Sequence, residues 1–411
     1  PVAVIDSCLA RIEQFEPKLG AFQAVYAEDA REAAQAAEKA YRSGHRIGPF
    51  HGIPFALKDI IDIEGRITTG GSKVMSERIS PATATIARRL LAAGGILLGK
   101  TKTVEVAMGG WGTNEHMGTP WNPWDLQIPR TPGGSSSGSG VSVAAGLAGC
   151  AVGTDTGGSV RIPSSWCGIV GLKTSEGLLP TDGIIPLSHT LDTPGPMARC
   201  VDDVSLMFEV MAGRHPIDTD LDLERGQGLF GAREAGIKGL RLGVLSEDER
   251  EGIDAEILSL YENAIGVLRS LGAEISVFQM PMRFEDMQDA TGSIIYSEGY
   301  YHHGEMYEDK DATVDPHVRP RILGGRDISA RDYLAALFKR RNDQGEFLNG
   351  MRGYTGFVTP TAAYPAIPLD QVDQKTTPAR FTRATNYLGL CGLSVPMGLT
   401  SSGLPGGLQI L

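Results

Sequence analysis

Hydrophobic and polar positions divide the chain into segments of helical texture and short apolar runs. Residues Ala3–Phe15 (AVIDSCLARIEQF) and Ala27–Gly44 (AEDAREAAQAAEKAYRSG) are rich in Ala, Glu and Arg, and predict two helices, the second closed by Gly44. Gly52–Asp62 (GIPFALKDIID) is a short apolar run of the kind that forms a buried strand. Thr83–Gly95 followed by Ile96–Thr101 reads as a helix, a glycine stop and a strand. Val141–Gly153 (VSVAAGLAGCAVG) reads as a small-residue helix, and Thr154–Lys173 as a glycine-broken loop leading into a strand. From about 218 to 345 charged helical patterns dominate, as in Asp254–Gly272 and Ala330–Leu348. Strand-and-turn chemistry returns in Gly356–Pro368 and Gly392–Ile410. With no repeat and no linker, the pattern predicts a single α/β domain over 1–411, with 218–345 as a helical insert.

Composition narrows the function. The chain has 411 residues, a net charge of −11 and 41% hydrophobic residues. That charge argues against nucleic acid, because nothing would neutralise phosphates. Five scattered cysteines without a C-x-x-C pair support neither a zinc site nor a disulfide framework. No apolar run approaches about 18 residues, so no membrane span is expected, and no signal peptide is read. The expectation is a cytoplasmic protein acting on a small molecule, without metal or cofactor, with a homodimer left open.

The candidate chemistry begins at Pro132–Gly140, PGGSSSGSG. A linker would not sit between two ordered segments, and a phosphate loop would need a following lysine. A nucleophile elbow G-x-S-x-G, with Ser136 at its centre, needs a preceding strand and a histidine base. The prolines of Asp125–Pro132 make a poor strand; His189, His215, His302, His303 and His317 are the candidate bases. Further along, Thr156-Gly157-Gly158-Ser159 places two residues without Cβ before a serine, a run that lets successive N–H groups converge on one point. Lys58 lies inside the apolar run. It is either a paired or outward-reaching lysine, or an amine that burial makes neutral and basic near pH 7.

Together these stretches resemble the amidase signature family, over most of the chain from Gly48–Gly65 through Gly403–Ile410. Ser159 lies 24 positions after Ser135, as the family pattern asks. The resemblance implies an α/β/α fold with a mixed central sheet flanked by helices. It implies a Ser–Ser–Lys triad acting on an amide: Ser159 as nucleophile, Ser135 as bridging serine after a cis peptide bond, and Lys58 as base. The N–H groups of Thr156, Gly157, Gly158 and Ser159 would form the oxyanion hole. Asp155 and Arg161 would shape the loop, and Ser136, Ser137 and Ser139 would close it, with Ser136 near Lys58. The departure is GGSSSGS where relatives commonly show GGSSGGS, and it leaves the triad positions unaltered.

The amide itself is less legible. Asp182–Arg199 resembles the small-amide and arylacetamide hydrolases of the family. Val318–Gly325 resembles the glutamine-holding stretch in the glutaminase component of tRNA-dependent amidotransferases, with Arg321 at the carboxylate-binding position. Arg380 and Arg383 stand where that component would have an acid for the glutamine amino group. A small-amide amidohydrolase is therefore expected, with an amidotransferase glutaminase as the alternative. Trp111, Trp121, Trp124, Tyr296, Tyr300, Tyr301 and Phe381 are candidates to line an acyl pocket roofed by 218–345, with His302 and His303 as pocket or surface residues.

Overall fold

A computed structural model describes residues 1–213 and 235–411. Helices α1 (Val2–Leu19) and α2 (Ala27–Arg42) flank strand β1 (Phe22–Val25). Alanines 30, 34 and 37 of α2 recur at helical spacing and are its buried residues. Strand β2 (Pro54–Lys58), helix α3 (Thr85–Ala92) and strand β3 (Ile96–Thr101) follow as the sequence predicts.

The serine-rich segment departs from its expectation. Helix α4 begins inside it and runs Ser137–Ala144, and strand β4 (Cys150–Asp155) occupies the end of the expected small-residue helix. Close backbone approach explains the composition. A Cβ on Gly138 would stand 2.1 Å from the Ala21 carbonyl oxygen and 2.6 Å from the Lys102 nitrogen. After β4 come helix α5 (Arg161–Trp166), strands β5 (Val170–Lys173) and β6 (Thr193–Ala198), and helix α6 (Val201–Ala212).

The stretch expected as a helical insert is mixed. Its helices are α7 (Ala255–Ser270), α8 (Phe284–Glu308), α9 (Arg319–Leu323) and α10 (Ala330–Gly350). Among them lie strands β7 (Arg241–Val244) and β8 (Glu274–Val277), which extend the main sheet. Both strands have four residues, too few for periodicity to distinguish them from loop. Residues 218–234 of that stretch, and His215, lie outside the described residues. Strand β9 (Gly356–Pro360), helix α11 (Arg380–Tyr387) and strands β10 (Gly392–Leu399) and β11 (Pro405–Ile410) complete the described elements.

Among the described residues the strands form one mixed sheet in the order β1-β3-β2-β4-β6-β5-β10-β11-β9-β7-β8. The runs β3-β2-β4 and β9-β7-β8 are parallel, and the centre between them is antiparallel. Strand alternation then separates two cores. Phe55 and Leu57 pack with Ile86 and Leu90 of α3 and Met207 of α6. Ala56 packs on the opposite face with Ile5 of α1, Ala34 of α2 and Val141 of α4. This is an α/β/α sandwich, and Lys58, two residues after Ala56, shares the face that carries α4 and the serine loop.

Candidate active site

Lys58 ends β2 without exposed surface, among apolar strand neighbours. Its Nζ donates to Ser135 Oγ at 2.7 Å and to Thr154 Oγ1 at 2.8 Å. Both partners are neutral hydroxyls, which cannot offset the burial of an ammonium. Burial therefore pushes Lys58 down from the ordinary lysine range to about 7, against the pull of Asp192 and Asp155. A neutral amine would keep a donor for Thr154 and turn its lone pair to the Ser135 hydroxyl.

Ser135 follows a cis Gly134–Ser135 peptide bond and is fully buried. The Ser136 N–H donates to the Ser159 carbonyl at 3.2 Å, which ties the two serine segments together. The Ser136 hydroxyl is directed at the strand rather than at Lys58: it donates to the Thr154 carbonyl and accepts from the Thr154 N–H, both at 3.2 Å. No strand leads directly into it. Nor does a histidine line the nearby cavity among the described residues. His303 bonds the Pro186 carbonyl, His189 faces Glu298, His302 packs against His189, and His317 faces Glu115. The elbow arrangement is therefore not assembled among the described residues.

Ser159 opens onto a cavity of about 420 Å³, lined also by Thr156, Gly157, Ile295, Tyr296, Arg321 and Arg383. The turn before it is held from below by Asp155. That carboxylate accepts from the N–H groups of Gly158 (2.7 Å) and Val160 (3.0 Å), and from Arg161 Nε and Nη2 at 3.0 and 2.8 Å. Burial alone would raise Asp155, but the Arg161 guanidinium outweighs it and holds the carboxyl well below the usual range. The pair therefore acts as the expected scaffold. One donor of the expected oxyanion set is lost to it: the Gly158 N–H is spent on Asp155. The N–H groups of Thr156, Gly157 and Ser159 have no acceptor among the described residues. Gly158 is needed as glycine for another reason. Its φ is +130°, and a Cβ there would stand 2.2 Å from Thr382 Oγ1.

Two further residues support the site, Asp192 at the turn and Thr154 beside Lys58. Asp192 accepts from Thr156 Oγ1 and from the N–H groups of Leu187 and Ser188, and burial lifts its carboxyl above the usual range. Thr154, the second partner of Lys58, stands beside the GGS run only because β4 ends there. Its signal was its place two residues before Thr156 on a strand.

The aromatic expectations divide. Tyr296 lines the cavity, whereas Tyr300 turns away and donates to Glu308 Oε1 at 2.6 Å. Trp111 is a core residue: it stacks on Trp166 and Tyr364 at 5.8 and 6.0 Å and donates from Nε1 to the Thr376 carbonyl. Phe381 packs edge-on against Phe284 in another core, Trp121 and Trp124 bond the Asp125 and Cys167 carbonyls, and Tyr301 is exposed. Trp111 and Phe381, expected as pocket walls, thus serve packing, which amino-acid type alone does not distinguish. Arg321 does line the cavity, with Nη1 on the Met108 carbonyl (2.9 Å) and Nη2 on Gln374. Among the described residues no helix is long and apolar enough to cross a membrane.

Comparison with known proteins identifies the family. A family model described as Amidase matches residues 3–411. The 2-amino-5-chloromuconic acid deaminase of Comamonas testosteroni is 36% identical over 100% of this chain and 88% of its own length. The A component of the glutamyl-tRNA(Gln) amidotransferase of Anaeromyxobacter dehalogenans is 35% identical over 99% of this chain and 88% of its own. The structure of a peptide amidase from Stenotrophomonas maltophilia superposes with a TM-score of 0.83 at 28% identity, covering 100% of this chain and 89% of that one. The chain belongs to the amidase signature family and is an amidohydrolase of that family.

Proposed function

We propose that the chain hydrolyses the amide of a small molecule through a covalent Ser159 ester, with Ser135 and Lys58 as its proton relay. The observation that carries this reading is the buried Lys58 amine, 2.7 Å from Ser135 Oγ, on the loop bonded to Ser159. Neutral Lys58 takes the Ser135 proton as Ser135 takes that of Ser159, and Ser159 Oγ bonds the amide carbon. The tetrahedral oxyanion faces the unpaired N–H groups of Thr156, Gly157 and Ser159. Collapse breaks the C–N bond, and the leaving amine receives the proton from Lys58 through Ser135. Water, deprotonated by the same relay, then cleaves the ester and frees the acid. No step calls on a histidine.

A second reading, the glutaminase component of an amidotransferase, draws on the similarity to such a protein and on the cavity lining. That lining carries charges of both signs, Arg321 and Arg383 against Asp289, as the two charges of a free amino acid require. Ammonia release from glutamine, malonamide, indoleacetamide, benzamide and an anilide, measured beside Lys58→Ala and Ser159→Ala, tests both. Turnover of a non-glutamine amide that is lost in both variants is the expected result. Turnover confined to glutamine would favour the second reading, and activity surviving Lys58→Ala would sink the relay.

A further inference from the structure

The cavity is cationic in a chain whose net charge is −11. Its charged lining residues are Arg321, Arg383 and the exposed Lys375 against one acid, the exposed Asp289. The two arginines are not equivalent. Arg321 has both terminal nitrogens tied, Nη1 to Met108 and Nη2 to Gln374, so its guanidinium fastens the cavity wall. Arg383 has one bond, from Nη1 to the Gln288 carbonyl at 3.2 Å, and no ion pair among the described residues. Its Nε and Nη2 therefore remain without a partner there, and these two atoms form the edge that grips a carboxylate with two parallel hydrogen bonds.

The neighbouring turn of the same helix shows what a structural arginine looks like. Arg380 pairs through Nε with Glu285 at 2.9 Å and through Nη2 with Glu249 at 3.4 Å. Arg383 lacks such an acid, although it is half-buried and burial opposes its charge. Its place is also defined. A Cβ on Gly157 would stand 3.2 Å from Arg383 Cγ and 3.6 Å from its Nε, so the guanidinium stem lies against the turn that leads to Ser159. Thr382 Oγ1 donates to the Gly157 carbonyl at 2.8 Å and fixes the helix to that turn. Asp289 attracts it across the cavity without pairing with it, so a half-buried cation with an open fork, beside the Ser159 end of the cavity, leaves room for a carboxylate that a ligand can bring.

We propose that Arg383 is a specificity-determining residue that receives a carboxylate of the substrate, so that the preferred substrates are amides of dicarboxylic acids or other small amides carrying a carboxylate. This rests on the hydrolytic reading above for the fate of the amide, but not for the binding of the anion. The test uses the monoamides of malonic, succinic, glutaric and adipic acids, each beside the neutral amide in which a methyl ketone replaces the carboxylate. At least one acid should exceed its neutral analogue in kcat/KM by on the order of 100-fold, chiefly through KM. Arg383→Met should erase most of that ratio, and Arg383→Lys, which keeps the charge without the fork, should restore part of it. Thermal-shift titration with the matching dicarboxylates reads anion binding without turnover: they should stabilise the wild type and not Arg383→Met. Equal turnover of acid and neutral analogue, or an acid preference that survives Arg383→Met, would overturn the assignment. So would the absence of any Arg383-dependent binding of the acids. Arg383-dependent binding without cleavage of any amide would leave the anion site standing and remove the hydrolytic reading alone.

Discussion

Lys58 and Lys100 stand on adjacent strands, β2 and β3, and neither has exposed surface. What separates them is the company of their ammonium groups. Lys100 Nζ lies 3.1 Å from Asp59 and 2.8 Å from Thr68 Oγ1, so a buried carboxylate answers its charge. Lys58 meets only the hydroxyls of Ser135 and Thr154. Burial lowers both lysines, but at Lys100 the adjoining Asp59 opposes the shift directly. One lysine is half of an ion pair, and the other is the base of the proposed relay. Lys173 adds a useful third case. Burial brings it to about 7 as well, yet its Nζ donates to the Thr174 and Leu390 carbonyls at 2.7 and 2.6 Å. Carbonyls have no proton to give, so a depressed lysine becomes a base only where a hydroxyl faces it. Position beside the Ser135 hydroxyl, rather than titration, marks Lys58 out.

The largest effects should fall on activity. Ser159→Ala and Lys58→Met should each lower kcat by roughly 10³-fold or more, since members of a relay fail together. Ser135→Ala should fall by about 10²- to 10⁴-fold, the range of a lost proton transfer. Ammonia release under single-turnover conditions would check all three. A Lys58→Met enzyme within tenfold of wild type would place Lys58 with Lys100, as a structural lysine.

Stability should invert that order. Lys100→Met leaves the Asp59 carboxylate buried without its cation, and should cost about 3–5 kcal/mol in urea unfolding. Lys58→Met removes an amine whose charge burial already disfavours and leaves only hydroxyls, so the loss should be smaller, about 1–3 kcal/mol. Equal losses in the two variants would erase the distinction between the lysines.

The pH dependence follows from the same difference. The rate should rise with pH around a midpoint near 7 as Lys58 loses its proton, and hold at alkaline pH. Stability has a definite sign too. Unfolded Lys58 keeps its proton up to the ordinary value of 10.5, whereas the folded group releases it near 7. Between those values the unfolded chain binds more protons, so stability rises with pH; below 7 both states are protonated and this contribution is flat. Lys173 acts in the same sense. Lys58→Met should therefore remove part of the rise, measured as urea midpoints from about pH 7 to 10, and an unchanged slope would contradict the shift.

The smallest effect distinguishes neighbouring serines. Ser136→Ala removes two hydrogen bonds with the Thr154 backbone and should destabilise by about 1–3 kcal/mol, since a buried N–H loses its acceptor. Its kcat should stay within about tenfold of wild type, because it lies outside the proposed relay. Loss of activity equal to that of Ser135→Ala would revive Ser136 as the reacting serine.

Much of this was legible in the sequence because it is local. The apolar run around Lys58, the helix–glycine–strand unit before Thr101 and the GGS turn each carry their signal in consecutive residues. What was not legible depends on partners brought in from afar. The start of α4 inside the serine loop rests on backbone contact of Gly138 with Ala21 and Lys102. Strands β7 and β8 rest on pairing with each other and with β9, not on their own four residues. The diversion of the Gly158 N–H to Asp155, the hold of Asp192 on Thr156, and the retreat of Trp111 and Tyr300 into packing are likewise tertiary outcomes.

The central claim is that Lys58 is an uncharged base at working pH, and it can be observed directly. Nitrogen-15 NMR of the lysine Nζ groups, with Lys58 assigned by the resonance missing from Lys58→Met, would give its titration. A midpoint near 7 that coincides with the rising limb of kcat/KM is the predicted result. A Lys58 that stays protonated above about pH 9, or a kinetic limb that titrates elsewhere, would contradict it.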